Sequence, residues 1–132
     1  MSQDAVAFVL DGYARWNAGE RKPDLWFWHA DAEYHTARED PDSAVHRGID
    51  AIRKQFERWE EAYPDLSVQP LEAKDAGDKV FLWVRFSGHG AGSGLPIEME
   101  LAHVLTLEDG RVRRTEEYMD RAEALNAVGL EG

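Results

Sequence analysis

The segment from Leu95 to Leu107 alternates between apolar and other side chains, and this pattern constrains the fold more than any other feature of the chain. A period of two is typical of a β-strand with one buried face. His103 falls on the apolar side of that alternation. A buried imidazole must find a hydrogen-bond partner or lose about 1–3 kcal/mol of solvation free energy. We therefore interpret His103 either as a satisfied core histidine or as a working group in a pocket.

The remainder of the chain reads as helices followed by strands. Helical spacing of apolar residues predicts helices over Ser2–Asn17 and Ile49–Tyr63, and Pro23 favours a short helix over Pro23–Trp28. A short strand is expected at Ala32–Thr36. Four further strands are expected at Leu66–Lys74, Val80–Ser87, Leu95–Leu107 and Val112–Met119. The segment Asp120-Arg-Ala-Glu123 has the form of a capping box, which predicts a last helix ending at Ala127.

This order predicts an α+β fold in a single domain that covers residues 1–132. We expect a strongly curved antiparallel sheet that wraps about three N-terminal helices, with a short C-terminal helix. Such a sheet forms a conical barrel whose open end is lined by side chains. The open end of a cone is a natural pocket for a small ligand.

Charge and composition exclude several function classes. The chain has 15 Lys and Arg against 26 Asp and Glu, a formal charge of −11, which disfavours nucleic acid and anionic membrane surfaces as partners. There is no cysteine, and the histidines lack metal-ligand spacing, so we expect no metal and no cofactor. Neither a secretory signal nor an apolar run of about 20 residues is present, and a cytoplasmic location is predicted.

Several segments resemble the SnoaL-like domains of the nuclear transport factor 2-like superfamily. They include Tyr13-Ala-Arg-Trp-Asn-Ala-Gly19, His29-Ala-Asp-Ala-Glu-Tyr-His35, His46-Arg-Gly-Ile-Asp-Ala-Ile52, Ala102-His-Val-Leu-Thr-Leu107 and Tyr118-Met-Asp120. The resemblance covers nearly the whole chain. It implies the conical fold, but the superfamily hosts isomerases, polyketide cyclases, hydrolases and plain binding proteins, so the fold does not determine the activity.

The ketosteroid isomerases of this superfamily use three groups that can be placed on this sequence. By that resemblance His103 occupies the position of a protonated acid, Thr36 that of the general base, and Gly12 that of a tyrosine. A threonine cannot abstract a carbon-bound proton at neutral pH, and glycine has no side chain. Steroid-type isomerase activity is therefore disfavoured.

The SnoaL-like polyketide cyclases instead place a carboxylate on the last strand, and the resemblance puts Glu117 there. A tight Asp109-Gly110 turn would favour the other parity, with Glu116 facing inward, so both glutamates remain candidates. We predict that His103 and Glu117 form a proton-transfer pair. The alternative is a buried structural hydrogen bond with no turnover.

The resemblance also implies a set of pocket-facing residues. The predicted substrate-binding residues are Trp16, Trp28, Tyr34, Thr36, Phe56, Trp59 and Met119. Aromatic residues at such spacings also occur simply as core, but a cone walled by indoles suits a flat hydrophobic ligand. The function expected is a cofactor-free cyclase or isomerase that uses acid–base chemistry on an apolar, oxygenated small molecule. A non-catalytic domain that binds a hydrophobic ligand is the alternative.

The opposite face of the predicted sheet also carries apolar residues. Phe81 and Trp83 lie opposite the inner row of their strand, and Val104 continues the patch on the next strand. Apolar patches of this kind usually meet a partner. We therefore expect a homodimer formed through the outer sheet face.

Overall fold

A computed structural model describes residues 2–130 of the protein. Its helices are α1 (Ser2–Asn17), α2 (Ile49–Ala62) and α3 (Arg121–Ala127). Its strands are β1 (Trp28–His35), β2 (Val45–Arg47), β3 (Ser67–Ala76), β4 (Lys79–His89), β5 (Pro96–Glu108) and β6 (Arg111–Tyr118). Within residues 2–130, no helix is both long enough and apolar enough to cross a membrane.

All six strands form one sheet in the order β2-β1-β6-β5-β4-β3. The four strands β3 to β6 are antiparallel neighbours along the chain, as predicted. β1 runs parallel to β6, so the sheet is mixed rather than antiparallel throughout. The sheet ends at β2 and β3 and does not close. The predicted α+β cone is confirmed, with an open, mixed sheet as its wall.

The two N-terminal helices cover the concave face of this sheet. α1 packs on β3 and β4, whereas α2 packs on β1 and β2. The main core lies between them and includes the fully buried Val9 of α1, Ile52 of α2, Leu82 and Leu105. The apolar alternation of β5 therefore faces the helices, and His103 faces them as well.

The predicted helix at Pro23–Trp28 does not form. The amides of Phe27 and Trp28 both donate to the carbonyl of Asp24, at 3.1 and 2.9 Å, which makes a single turn. Trp28 then starts β1 and pairs with Val112, so sheet pairing takes the residues that would have continued the helix. The strand expected at Ala32–Thr36 accordingly begins four positions earlier.

The third helix lies on the convex face of the sheet. Its N-cap is Asp120, whose carboxylate accepts hydrogen bonds from the amides of Ala122 and Glu123, at 2.9 and 3.3 Å. The predicted N-cap is therefore confirmed. Its buried Leu125 forms a second apolar cluster with sheet residues.

The helix α3 changes the interpretation of the outer sheet face. Phe81 and Val104 have exposed fractions of 0% and 1%, because α3 packs against them, and Trp83 is half-buried. The apolar patch that was expected to meet a partner is thus mostly covered within one chain. The sequence pattern could not distinguish a helix of the same chain from a partner as the covering element. The homodimer itself stays a prediction.

Candidate functional site

A register shift in the last hairpin determines which glutamate meets His103. Asp109 and Gly110 form the predicted two-residue turn, with φ of 53° and 75°. The ladder starts with Glu108 opposite Arg111 but shifts by one residue at the irregularity next to Leu107. After this shift His103 pairs with Glu117; without it, His103 would pair with Glu116. Because of this irregularity, the inward residue is Glu117.

His103 is the centre of a buried polar network on the concave face. Its side chain is 3% exposed, and that of Glu117 is 8% exposed. The Tyr13 hydroxyl lies 2.5 Å from Nδ1 of His103, and the Tyr34 hydroxyl lies 3.3 Å from Nε2. Glu117 Oε2 is 3.5 Å from Nε2 and accepts a hydrogen bond from Tyr34 at 2.6 Å. The amide of Ala37 donates to the other carboxylate oxygen at 3.2 Å.

These contacts determine the proton positions in the neutral imidazole. The hydroxyl proton of Tyr34 is committed to the carboxylate of Glu117, so the Tyr34 oxygen can only accept from His103. Nε2 of His103 must then carry the proton, and Nδ1 must accept from the Tyr13 hydroxyl. The network therefore runs as a directed chain from Tyr13 through His103 and Tyr34 to Glu117.

Burial and charge shift the acidity of three members of this chain. Burial raises the pKa of Glu117. The hydrogen bond and the positive charge of protonated His103 lower it, as do the hydrogen bonds from Tyr34 and the Ala37 amide, and together they leave that pKa below its usual value. Burial, reinforced by the negative charge of Glu117, raises the pKa of Tyr13 and of Tyr34. Both phenols are therefore proton donors at neutral pH, and Glu117 is an anion.

A cavity of about 80 Å³ opens beside this network. Tyr13, Tyr34 and His103 lie in its wall, and the rest of the interior is mainly aromatic. The aromatic wall residues are Trp16, Trp26, Phe27, Trp28, Phe56, Trp59 and Phe86. Exposed charged residues surround the opening: Arg15, Glu20, Lys22 and Asp24. A flat apolar molecule in this cavity would therefore be surrounded mainly by aromatic rings, with Tyr13 and His103 among its neighbours.

The structure brings together most of the residues predicted for the site. Of the predicted binding residues, those in the cavity wall are Trp16, Trp28, Tyr34, Phe56 and Trp59. Glu117 is not in the wall but contacts two residues that are, Tyr34 and His103.

Thr36 and Met119, which were also predicted to bind substrate, do not line this cavity. The hydroxyl of Thr36 donates to the carbonyl of Ala44 at 3.1 Å and accepts from the amide of Ala44 at 2.8 Å. It therefore stabilises the loop between β1 and β2 instead. Met119 packs against the main core. The resemblance placed both on strands that border the cavity but did not specify their contacts.

Tyr13 is the site residue that sequence reasoning missed. It lies on the apolar face of α1 together with Val9 and Trp16, and the resemblance assigned it no role in the site. A tyrosine on a buried face usually needs a partner for its hydroxyl. His103, in the apolar row of β5, also needs a hydrogen-bond partner, so the two residues could have been predicted to pair.

One surface cluster within residues 2–130 has the composition of a metal site. The ligand atoms of His29, Glu108 and Asp109 lie within 4.8 Å of one another. However, Nδ1 of His29 accepts a hydrogen bond from the amide of Asp31 at 3.1 Å, which leaves the neutral ring protonated on Nε2. Nε2 is the atom that faces the carboxylates, at 3.7 and 3.9 Å, so the neutral ring presents a proton rather than a lone pair to the cluster, which does not suit a metal ligand.

The curved sheet, its two covering helices and the cavity between them define a cone of the ketosteroid isomerase type. A protein with that fold from Catenulispora acidiphila is similar in structure, with a TM-score of 0.71 and 20% identity over 98% of this chain and 95% of that one. A nuclear transport factor 2-like protein from Burkholderia thailandensis has a TM-score of 0.76 and 25% identity, over 88% of this chain and 90% of that one. The model of the SnoaL-like domain matches residues 9–115, and the chain belongs to this family.

Two curated relatives are named for a biosynthetic role. They are the phenazine biosynthesis proteins PhzA1 and PhzA2 of Pseudomonas aeruginosa, each 30% identical over 91 residues. The match covers 65% of this chain and 56% of each relative. The chain therefore spans little more than half the length of these relatives.

Proposed function

We propose that this protein is a cofactor-independent acid–base catalyst of the cyclase or isomerase type, acting on a flat, largely apolar, oxygenated molecule. The observation that carries the proposal is the 2.5 Å contact between the Tyr13 hydroxyl and Nδ1 of His103, both in the cavity wall. Tyr13 would touch the substrate, His103 would store the proton, and Glu117 would balance the charge.

The relay balances in both directions. A substrate hydroxyl can give its proton to the Tyr13 oxygen while the Tyr13 proton passes to Nδ1 of His103. The products are a substrate oxyanion, a neutral tyrosine and an imidazolium next to the Glu117 carboxylate. In the reverse direction Tyr13 protonates an enolate or carbonyl oxygen, and Nδ1 of His103 replaces the proton that Tyr13 has lost. Proton transfer of this kind contributes about 10²–10⁴-fold to rates.

The surroundings favour this use over a purely structural one. An ionised carboxylate in a mainly apolar interior has a high solvation cost unless it is paired and hydrogen-bonded. Here Glu117 has two donors and an imidazole within 3.5 Å, and its negative charge stabilises a protonated His103 in the same site. A flat substrate is supported by the aromatic cavity wall and by relatives named for the biosynthesis of phenazines, which are flat fused-ring molecules.

Exchange of carbon-bound hydrogen tests the proposal. With 1-tetralone in D₂O, the wild type should accelerate loss of the NMR signal of the hydrogens next to the carbonyl. Tyr13 would protonate the carbonyl oxygen, protonated His103 would return a proton to Tyr13, and a water molecule would accept the hydrogen from carbon, so that the neutral enol forms. Tyr13→Phe and His103→Ala should each lower that rate by about a hundredfold or more. The double variant should be no worse than either single one, since groups that act as a unit are non-additive.

Tyr63→Phe is the matched control. The Tyr63 hydroxyl has no hydrogen-bond partner within residues 2–130, and the residue does not line the cavity, so exchange should continue. If the wild type binds ketones but exchanges them no faster than buffer does, catalysis is rejected in favour of a binding domain.

A further inference from the structure

A second hollow lies beside the aromatic cavity, between the end of α2 and the start of β5, and we call it the outer groove. Its volume is about 500 Å³, and Met99 in its wall is 43% exposed, so the groove is open to solvent. Apart from Glu98, the residues that line it are apolar or aromatic: Trp59, Tyr63, Leu66, Phe86, Pro96, Ile97 and Met99. A cavity of about 150 Å³ can hold benzene, so the outer groove has room for an aromatic ring.

Two aromatic side chains belong to both walls. Trp59 and Phe86 line the cavity as well as the outer groove. Their ring centres are 6.1 Å apart in an edge-to-face arrangement, which brings the two rings into contact. On the inner side, the ring of Trp59 lies 5.5 Å from that of Tyr34. The ring of Phe86 lies 5.7 Å from that of His103. A single layer of two rings therefore separates the polar network from the outer groove.

The two rings of this layer have different supports. Phe86 is a residue of β4 and is 8% exposed, so it is part of the sheet core. Trp59 is half-buried in the last turn of α2, where it stacks on Phe56 at 5.6 Å. Loss of the indole would therefore open the layer and leave the strand beneath it in place.

From these contacts we infer that Trp59 sets the upper size of the substrate, because it closes the cavity toward the outer groove. The inference rests on the proposed function, since it takes the oxygen at Tyr13 as the fixed end of the substrate. The substrate class is then a compact flat ketone or phenol without an apolar arm on the side that faces Trp59. Without the indole, such an arm can extend along β5 from His103 to Met99, which are four residues and thus about 13 Å apart.

A single thiol in the outer groove tests the inference. The chain has no cysteine, so Met99→Cys supplies one reactive thiol, and position 99 pairs with Phe86 in the β4–β5 ladder. The rate of its reaction with iodoacetamide is measured with 1-tetralone, which is compact, and with 6-phenyl-1-tetralone, whose phenyl group points away from the carbonyl. With Trp59 present, neither ketone should slow the reaction. In the Trp59→Ala background, 6-phenyl-1-tetralone should slow it about tenfold or more, and 1-tetralone should not.

Isothermal titration calorimetry gives the matching affinities. Trp59→Ala should bind 6-phenyl-1-tetralone at least about tenfold more tightly than the wild type does, because the phenyl group becomes buried in the outer groove. Trp26→Ala is the matched control, since Trp26 lines the cavity but not the outer groove. It should give neither the gain in affinity nor the protection of the thiol.

Trp59→Leu is measured beside Trp59→Ala, because it keeps an apolar side chain against Phe56 if the smaller residue destabilises the fold. Protection of the thiol while Trp59 is present overturns the inference, and so does the absence of protection in a folded Trp59 variant. If neither variant folds, Trp59 is a core residue and the inference is rejected as well. Protection of the thiol requires no proton transfer, so it is read separately from hydrogen exchange. Exchange without protection would reject the role of Trp59 alone, and protection without exchange would reject catalysis alone.

Discussion

Removal of the Tyr34 hydroxyl should be costly because that group connects two buried members of the network. Tyr34→Phe deletes the donor that lies 2.6 Å from Glu117 Oε2 and the acceptor that lies 3.3 Å from Nε2 of His103. Tyr34 is only 3% exposed, so water cannot readily replace the hydroxyl. A hydrogen bond to a charged group contributes about 1.5–3 kcal/mol, and we expect the free energy of unfolding to fall by that amount. The ring itself remains, so its packing against Trp59 is retained.

Urea denaturation followed by tryptophan fluorescence measures this loss. With a slope of about 2 kcal/mol per molar urea, the midpoint should fall by about 1 M. Tyr63→Phe removes a hydroxyl without a partner in the described chain and should change the free energy of unfolding by less than about 0.5 kcal/mol. If Tyr34→Phe is no more destabilised than Tyr63→Phe, the network does not hold Glu117 as described.

Three further predictions concern charge and packing. The pKa of Glu117 is lowered in the folded state, so its contribution to stability is complete above the usual glutamate pKa and is lost as the pH falls through the lowered value. Urea midpoints measured against pH should show this loss in the wild type and not in Glu117→Gln. Leu125→Ala should lower the free energy of unfolding by about 2–5 kcal/mol, whereas Leu71→Ala, at a position 41% exposed, should lower it much less. Equal urea midpoints for the two variants would contradict the packing of α3 on the sheet. Gly12→Ala would place a Cβ in steric conflict with the Phe27 ring. The expected overpacking cost of about 1–3 kcal/mol should outweigh the helix propensity gained, so a raised melting temperature would contradict this packing.

The helices and the antiparallel strands were predictable because each carries its own periodicity. The alternation of β5 predicts that His103 lies on the buried face, and Asp109-Gly110 predicts the hairpin turn. The segment at Pro23–Trp28 was not predictable in the same way. Its proline favours a helix locally, whereas the pairing of Trp28 with Val112 depends on residues far away in the chain.

The site also depends on contacts between distant parts of the chain, which local sequence patterns do not predict. Nothing in the sequence marks the register irregularity next to Leu107, which turns Glu117 rather than Glu116 inward. Tyr13 lies 90 positions from His103, so their contact follows from how α1 lies across the sheet. The α3 helix was predicted, but its place over Phe81 on the convex face was not, because amphipathic spacing does not say which face a helix covers.

In the neutral form of His103, the hydrogen bonds from Tyr13 to Glu117 require the ring proton to be on Nε2. Nitrogen-15 NMR of the imidazole reads this directly, because protonated and unprotonated ring nitrogens have well-separated shifts. In the neutral ring, Nε2 should be protonated, and Nδ1 should be an acceptor whose shift changes in Tyr13→Phe. A proton on Nδ1 in the neutral ring, or an Nδ1 shift indifferent to Tyr13→Phe, would contradict the account.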